Sequence, residues 1–123
     1  MSGESRGPNG ADLGQEPVAG IERVDSTTVV HLQGELDLYN ADQVREALFE
    51  CCAEKPRRLV IDLAEVKFVD STALGVLIEA SSRLSDGNAL VLAAPGLETR
   101  RALEISGLDR HFSVAETVAD AVG

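Results

Sequence analysis

The sequence predicts an α/β fold, a single domain with a mixed, mostly parallel sheet of about five strands and about four covering helices. Three observations carry this expectation. From residue 18 onward, short apolar runs alternate with segments of helical period, as in strands joined by helical crossovers. Two of the runs, Leu59-Val60-Ile61-Asp62-Leu63 and Ala89 to Ala94, are nearly continuous, as expected of strands covered on both faces. Apolar residues make up 44% of the 123, enough for a two-layer core. Only Tyr39, Phe49, Phe68 and Phe112 are aromatic, so Val, Leu, Ile and Ala must fill that core.

Residues 1–16 hold four glycines and one proline, and Leu13 is their only large aliphatic after Met1. They lack the apolar surface to offset ordering and are expected to form a disordered tail, leaving 17–123 as the domain. Ile21 to Val24 and Thr28 to Leu32 predict two strands hinged at Asp25-Ser26, a hairpin that supplies the one antiparallel pair. In the second strand Thr28, Val30 and Leu32 face one way, and Val29, His31 and Gln33 the other. His31 is expected to be an exposed strand residue. Gly34-Glu35-Leu36-Asp37 leads into a helix over about 41–54, with Asn40 as N-cap and Gln43 completing a capping-box pattern. Val44, Leu48, Cys51 and Cys52 form its apolar stripe, and Pro56 ends it.

After the 59–63 strand, a second helix shows Leu74, Leu77, Ile78 and Ser81 on one face and stops near Ser85-Asp86-Gly87-Asn88, with Gly87 as the breaker. Leu97 to Ile105 predicts a third helix ending at Ser106-Gly107. Phe112 to Val114 predicts a last short strand, and Thr117 to Val122 a closing helical turn or two.

Composition narrows the function. A net charge of −10, from 21 acidic and 11 basic residues, repels nucleic acid and anionic lipid. No run approaches the roughly 18 apolar residues of a membrane span, and the amino end lacks a signal-peptide core or a myristoylation signal. Cys51 and Cys52 are adjacent and cannot bridge each other without severe strain, and no histidine stands at zinc-ligand spacing. Reduced thiols, one of them packed inward, suit the cytoplasm. Phosphate-binding loop, dinucleotide fingerprint and nucleophile elbow are all missing. Asp37, Asp62 and Asp70 have the look of a receiver-domain acidic cluster, but the paired acids that would hold magnesium are not there. The chain is expected to be no enzyme, to take no cofactor or metal, and to have no small-molecule substrate.

Asp70-Ser71-Thr72 stands out. It closes the apolar approach Val66-Lys67-Phe68-Val69 and opens the second helix. Ser71 is expected to cap that helix, its hydroxyl beside the open N–H groups of the first turn. A phosphate on the same hydroxyl would meet an anion-favouring helix end. The residues alone leave both uses open, with Thr72 a second hydroxyl in that turn.

Gly34-Glu35-Leu36-Asp37, Asp62-Leu63 and Phe68-Val69-Asp70-Ser71-Thr72-Ala73-Leu74-Gly75-Val76, with Ser106-Gly107-Leu108 near the end, resemble the STAS-domain anti-sigma factor antagonists over residues 18–122. The resemblance implies a partner-switching regulator. Its unphosphorylated form would bind an ATP-using anti-sigma factor serine kinase and release a sigma factor. Phosphorylation at Ser71 would end that binding, and a metal-dependent serine phosphatase would restore it. By position, Ser71 would be the phosphoacceptor, and Asp37, Asp70, Ser71, Thr72 and Gly75 would meet the partner. One departure is Ala73, where the family commonly has glycine; its methyl is expected to lie in the way of a close partner backbone. The alternatives to that reading are a STAS scaffold subunit of a larger signalling assembly and a small-ligand-binding STAS sensor.

Overall fold

The computed structural model describes residues 16–86 and 89–123. The element order is β1 (Val18–Val24), β2 (Thr27–Leu36), α1 (Ala41–Ala53), β3 (Arg58–Val69), α2 (Ser71–Ser82), β4 (Leu90–Ala93), α3 (Leu97–Ser106), a 3₁₀ turn (Leu108–Arg110), β5 (Ser113–Ala115) and α4 (Val118–Val122). The five strands lie in one sheet in sequence order, β1 antiparallel to β2 and every later pair parallel. The expected mixed, mostly parallel sheet is thus the observed one. The hairpin closes through Asp25-Ser26, with Val24 opposite Thr27.

Alternation along the central strands sorts the core into two layers. Val30, Leu32, Leu59, Ile61, Leu63, Leu90 and Leu92 pack on one face against Val44, Leu48, Leu74, Leu77 and Leu103 from α1, α2 and α3. Val29, Val60, Val91 and Ala93 point to the opposite face, where Ala121, Val118 and Val122 of α4 cover them. Among the described residues, three helices therefore cover one face and a single short helix part of the other. That is why β3 and β4 read as solid apolar runs.

Several local expectations shift. Strands β1, β2 and β3 run longer than their apolar runs, because ladder hydrogen bonds continue through polar residues. Helix α2 stops at Ser82, before the expected breaker; Gly87 itself lies outside the described residues, as does nearly all of the expected 1–16 tail. Ile78 turns outward, and Ala73, Val76 and Ala80 complete the buried face instead. Both cysteines, not one, are buried and free, and burial pushes both thiols up in pKa. Cys52 also donates to the Ala80 carbonyl at 3.5 Å, joining α1 to α2. No helix among the described residues is long and apolar enough to cross a membrane.

Candidate functional site

The C-terminal ends of β2 and β3 carry the residues singled out in the sequence. Leu36 pairs with Val69, and the Asp70 N–H donates to the Leu36 carbonyl at 3.0 Å, so the two strand ends are locked together where both chains leave the sheet. To reach this point β3 shifts register against β2 twice, between His31 and Gln33 and between Gly34 and Glu35. The second shift falls where Gly34 holds a positive φ of 78°, a conformation glycine takes without steric penalty. This gives a physical role to the glycine in Gly34-Glu35-Leu36-Asp37.

Asp70, not Ser71, caps α2. Its backbone is extended, with φ −94° and ψ 180°, and its carboxylate accepts the Ala73 N–H at 2.9 Å. Both residue types cap helices well, and the one whose backbone is still extended takes the role. The bond to Leu36 keeps that residue at Asp70. Such a cap contributes about 0.5–2 kcal/mol. Ser71 is consequently the first helical residue. It is exposed, and its hydroxyl has no protein partner among the described residues.

The neighbouring loop is self-clamped. Asp37 Oδ1 accepts the Tyr39 N–H at 3.0 Å, Asn40 Oδ1 accepts the Asp37 N–H at 3.0 Å, and Asn40 Nδ2 donates to the Glu35 carbonyl at 2.8 Å. Asn40 occupies the N-cap position of α1 but makes no side-chain cap. The expected capping box is absent because Asn40 spends its amide holding the Asp37 turn. That turn presents Leu38 and Tyr39, 62% and 88% exposed. Neither stands out in the sequence, since an apolar pair inside a loop has no period to betray it.

On α2, Ser71, Gly75 and Ile78 follow one another at helical spacing along the outward side, with Thr72 exposed beside them. Ala73 is 2% exposed and packs into the main core, so its methyl faces inward and presents nothing to a partner. Gly75 is the reverse case, for a Cβ built there would meet nothing within 4 Å. Nothing inside the fold requires that glycine.

Asp62 does not join Asp37 and Asp70. It lies midway along β3 and reaches His31, which is half-buried instead of exposed. Among the described residues no group of three or more His, Cys, Asp or Glu is placed to hold a metal ion.

Fold and site together define a small α/β domain whose distinctive surface is a helix end carrying an exposed hydroxyl, beside a loop held by its own hydrogen bonds. A family model for the STAS domain matches residues 19–121. The chain is 35% identical over 98 residues to the anti-sigma-F factor antagonist RsfB of Mycobacterium tuberculosis, covering 80% of each chain. It is 39% identical over 95 residues to the anti-sigma-B factor antagonist of Listeria monocytogenes, covering 76% of this chain and 83% of that one. The crystal structure of an anti-sigma factor antagonist from Mycobacterium paratuberculosis superposes with a TM-score of 0.78 at 33% identity, covering 84% of this chain and 88% of that one. The chain belongs to the STAS-domain family, among the anti-sigma factor antagonists, which are regulatory proteins and not enzymes.

Proposed function

We propose that this protein is an anti-sigma factor antagonist of the cytoplasm that works by partner switching, with residues 17–123 as the working domain. Unphosphorylated, it binds an anti-sigma factor that is also an ATP-using serine kinase, and so releases a sigma factor. The kinase transfers the γ-phosphoryl group of ATP to Ser71 Oγ. The hydroxyl proton passes to a base of the kinase and ADP leaves. A metal-dependent phosphatase returns serine and inorganic phosphate with one water. The observation that carries this reading is the placement of Ser71, which is first in its helix, exposed and released from capping duty by Asp70. A phosphate there lies at the positive end of a 12-residue helix, which tolerates it. The test is incubation with the cognate kinase and ATP, followed by mass spectrometry. One phosphate is expected, absent in Ser71→Ala; phosphate retained in that variant on Thr72 moves the site.

The docking surface proposed for the kinase comprises Asp37, Asp70, Ser71, Thr72 and Gly75, extended by Leu38, Tyr39 and Ile78. Gly75 offers a discriminating measurement. Glycine inside a helix is less stable than alanine by up to about 1 kcal/mol, and space for a methyl is free. Gly75→Ala is therefore expected to raise the urea midpoint slightly while weakening kinase binding at least about tenfold, a loss of about 1.4 kcal/mol. Stability and affinity moving up together would remove Gly75 from the surface.

A further inference from the structure

On the face of the sheet away from α1, α2 and α3, three strands contribute one polar row. His31 of β2 lies with Nδ1 2.6 Å from Asp62 Oδ2 of β3, and Nε2 2.6 Å from Glu22 Oε1 of β1. Carboxylates accept and do not donate, so both contacts are hydrogen bonds only when both ring nitrogens carry protons. Gly20 stands directly opposite His31 and has no side chain, so Glu22 can cross to the ring from its place opposite Val29. The row sits between two irregularities of the ladder: β1 shifts register between Val18 and Gly20, and β3 between Asp62 and Glu65. At the second, Asp62 Oδ1 accepts the Ala64 N–H at 3.0 Å. The side chains of Asp62 and His31 are 14% and 29% exposed, and Glu22 is 64% exposed.

We propose that Glu22, His31 and Asp62 form a pH-operated latch that holds the edge strand β1 to the sheet. It is closed while His31 carries both ring protons and slack once one is lost. The charged groups acting on the ring are Glu22 from β1 and Asp62 from β3. Further along the same face, Glu65 stands opposite Gln33, and Arg58 at the other end donates to the Ala121 carbonyl at 2.7 Å. The covering helix α4 contributes Asp120, which is exposed, and the other helices pack on the opposite face. Arg58 is engaged with Ala121 at the far end, and both groups bonded to the ring are carboxylates, so the ring proton is held more tightly. The hydrogen bond to Glu22, followed by the bond and charge of Asp62, raises the His31 pKa against the opposing effect of burial. With the folded value raised, the latch's stability is fully present below the ordinary imidazole value of about 6.5 and is lost as pH rises through the folded value.

Amide hydrogen exchange of the full chain, corrected for intrinsic rates and followed from about pH 6 to 9 across the histidine range, tests the latch. One unit of pKa shift is tenfold in an equilibrium, so protection of β1 and the β2 amides facing it is expected to fall about three- to tenfold. Protection of α1 and β4 is expected to stay flat, and His31→Gln to abolish the β1 response. Glu22→Gln, at an exposed position, is expected to lower the His31 titration midpoint by NMR and shrink the β1 response. The latch is overturned if β1 protection changes no more than that of α1. It is equally overturned if Glu22→Gln leaves both the midpoint and the β1 response unchanged.

Discussion

Phosphorylated at Ser71, or carrying Ser71→Glu, the protein is expected to bind its anti-sigma factor kinase at least about a hundredfold more weakly, with its unfolding midpoint nearly unchanged. The phosphate adds about 1.5 to 2 negative charges at neutral pH. The residue beside it is Asp70, and the chain already carries a net charge of −10. A like-charge or unpaired contact at an interface costs several kcal/mol, and each 1.4 kcal/mol is about tenfold in affinity. The fold escapes this because the new charge sits outside, at a helix end that stabilises anions by about 0.3–1 kcal/mol. Ser71→Ala is expected to bind like the wild type within a few-fold, since the hydroxyl has no partner among the described residues. Calorimetric titration of the four forms against the purified kinase decides it, and full affinity in the phosphorylated protein would refute the switch.

Leu77→Ala is expected to cost about 2–5 kcal/mol of stability, because truncating a buried leucine removes its transfer energy and leaves a cavity. Leu77 is fully buried in the core shared by the sheet, α1 and α2, on the inward side of the helix that presents Ser71. Its neighbour Ile78 looks outward, so Ile78→Ala is expected to change stability by no more than about 0.5 kcal/mol. Urea unfolding of the pair reads the inward and outward faces of α2 from adjacent positions. Equal losses at 77 and 78 would contradict the assigned orientation of the helix.

Element types and order were legible because apolar period and chain punctuation are local. Leu59 to Leu63 reads as a strand covered twice, and Val44, Leu48, Cys51 and Cys52 as one face of a helix. What escaped was decided by contacts between distant residues. Ser71 and Asp70 compete for one capping role, and the winner depends on a backbone bond to Leu36, far back in sequence. Asn40 looks like a helix cap until the Asp37 turn claims its amide. Ala73 looked like an obstacle to a partner because a helix face cannot be assigned before the core is known. His31 seemed exposed because its two carboxylate neighbours come from other strands. The resemblance pointed to the ends of β2 and β3 and the start of α2, and the structure shows how the residues there are held.

The bond from the Asp70 N–H to the Leu36 carbonyl has a kinetic meaning. It fixes the start of α2 and the Asp37 loop to the rim of a buried sheet, so the surface proposed for docking is already in shape before a partner arrives. Little ordering is then left to accompany encounter, and association should proceed without a slow rearrangement. Under those conditions a modification acts mainly on how long a complex lasts. Each tenfold loss of affinity shortens its lifetime by about tenfold, and exchange of one partner for another is then timed by departure rather than by arrival.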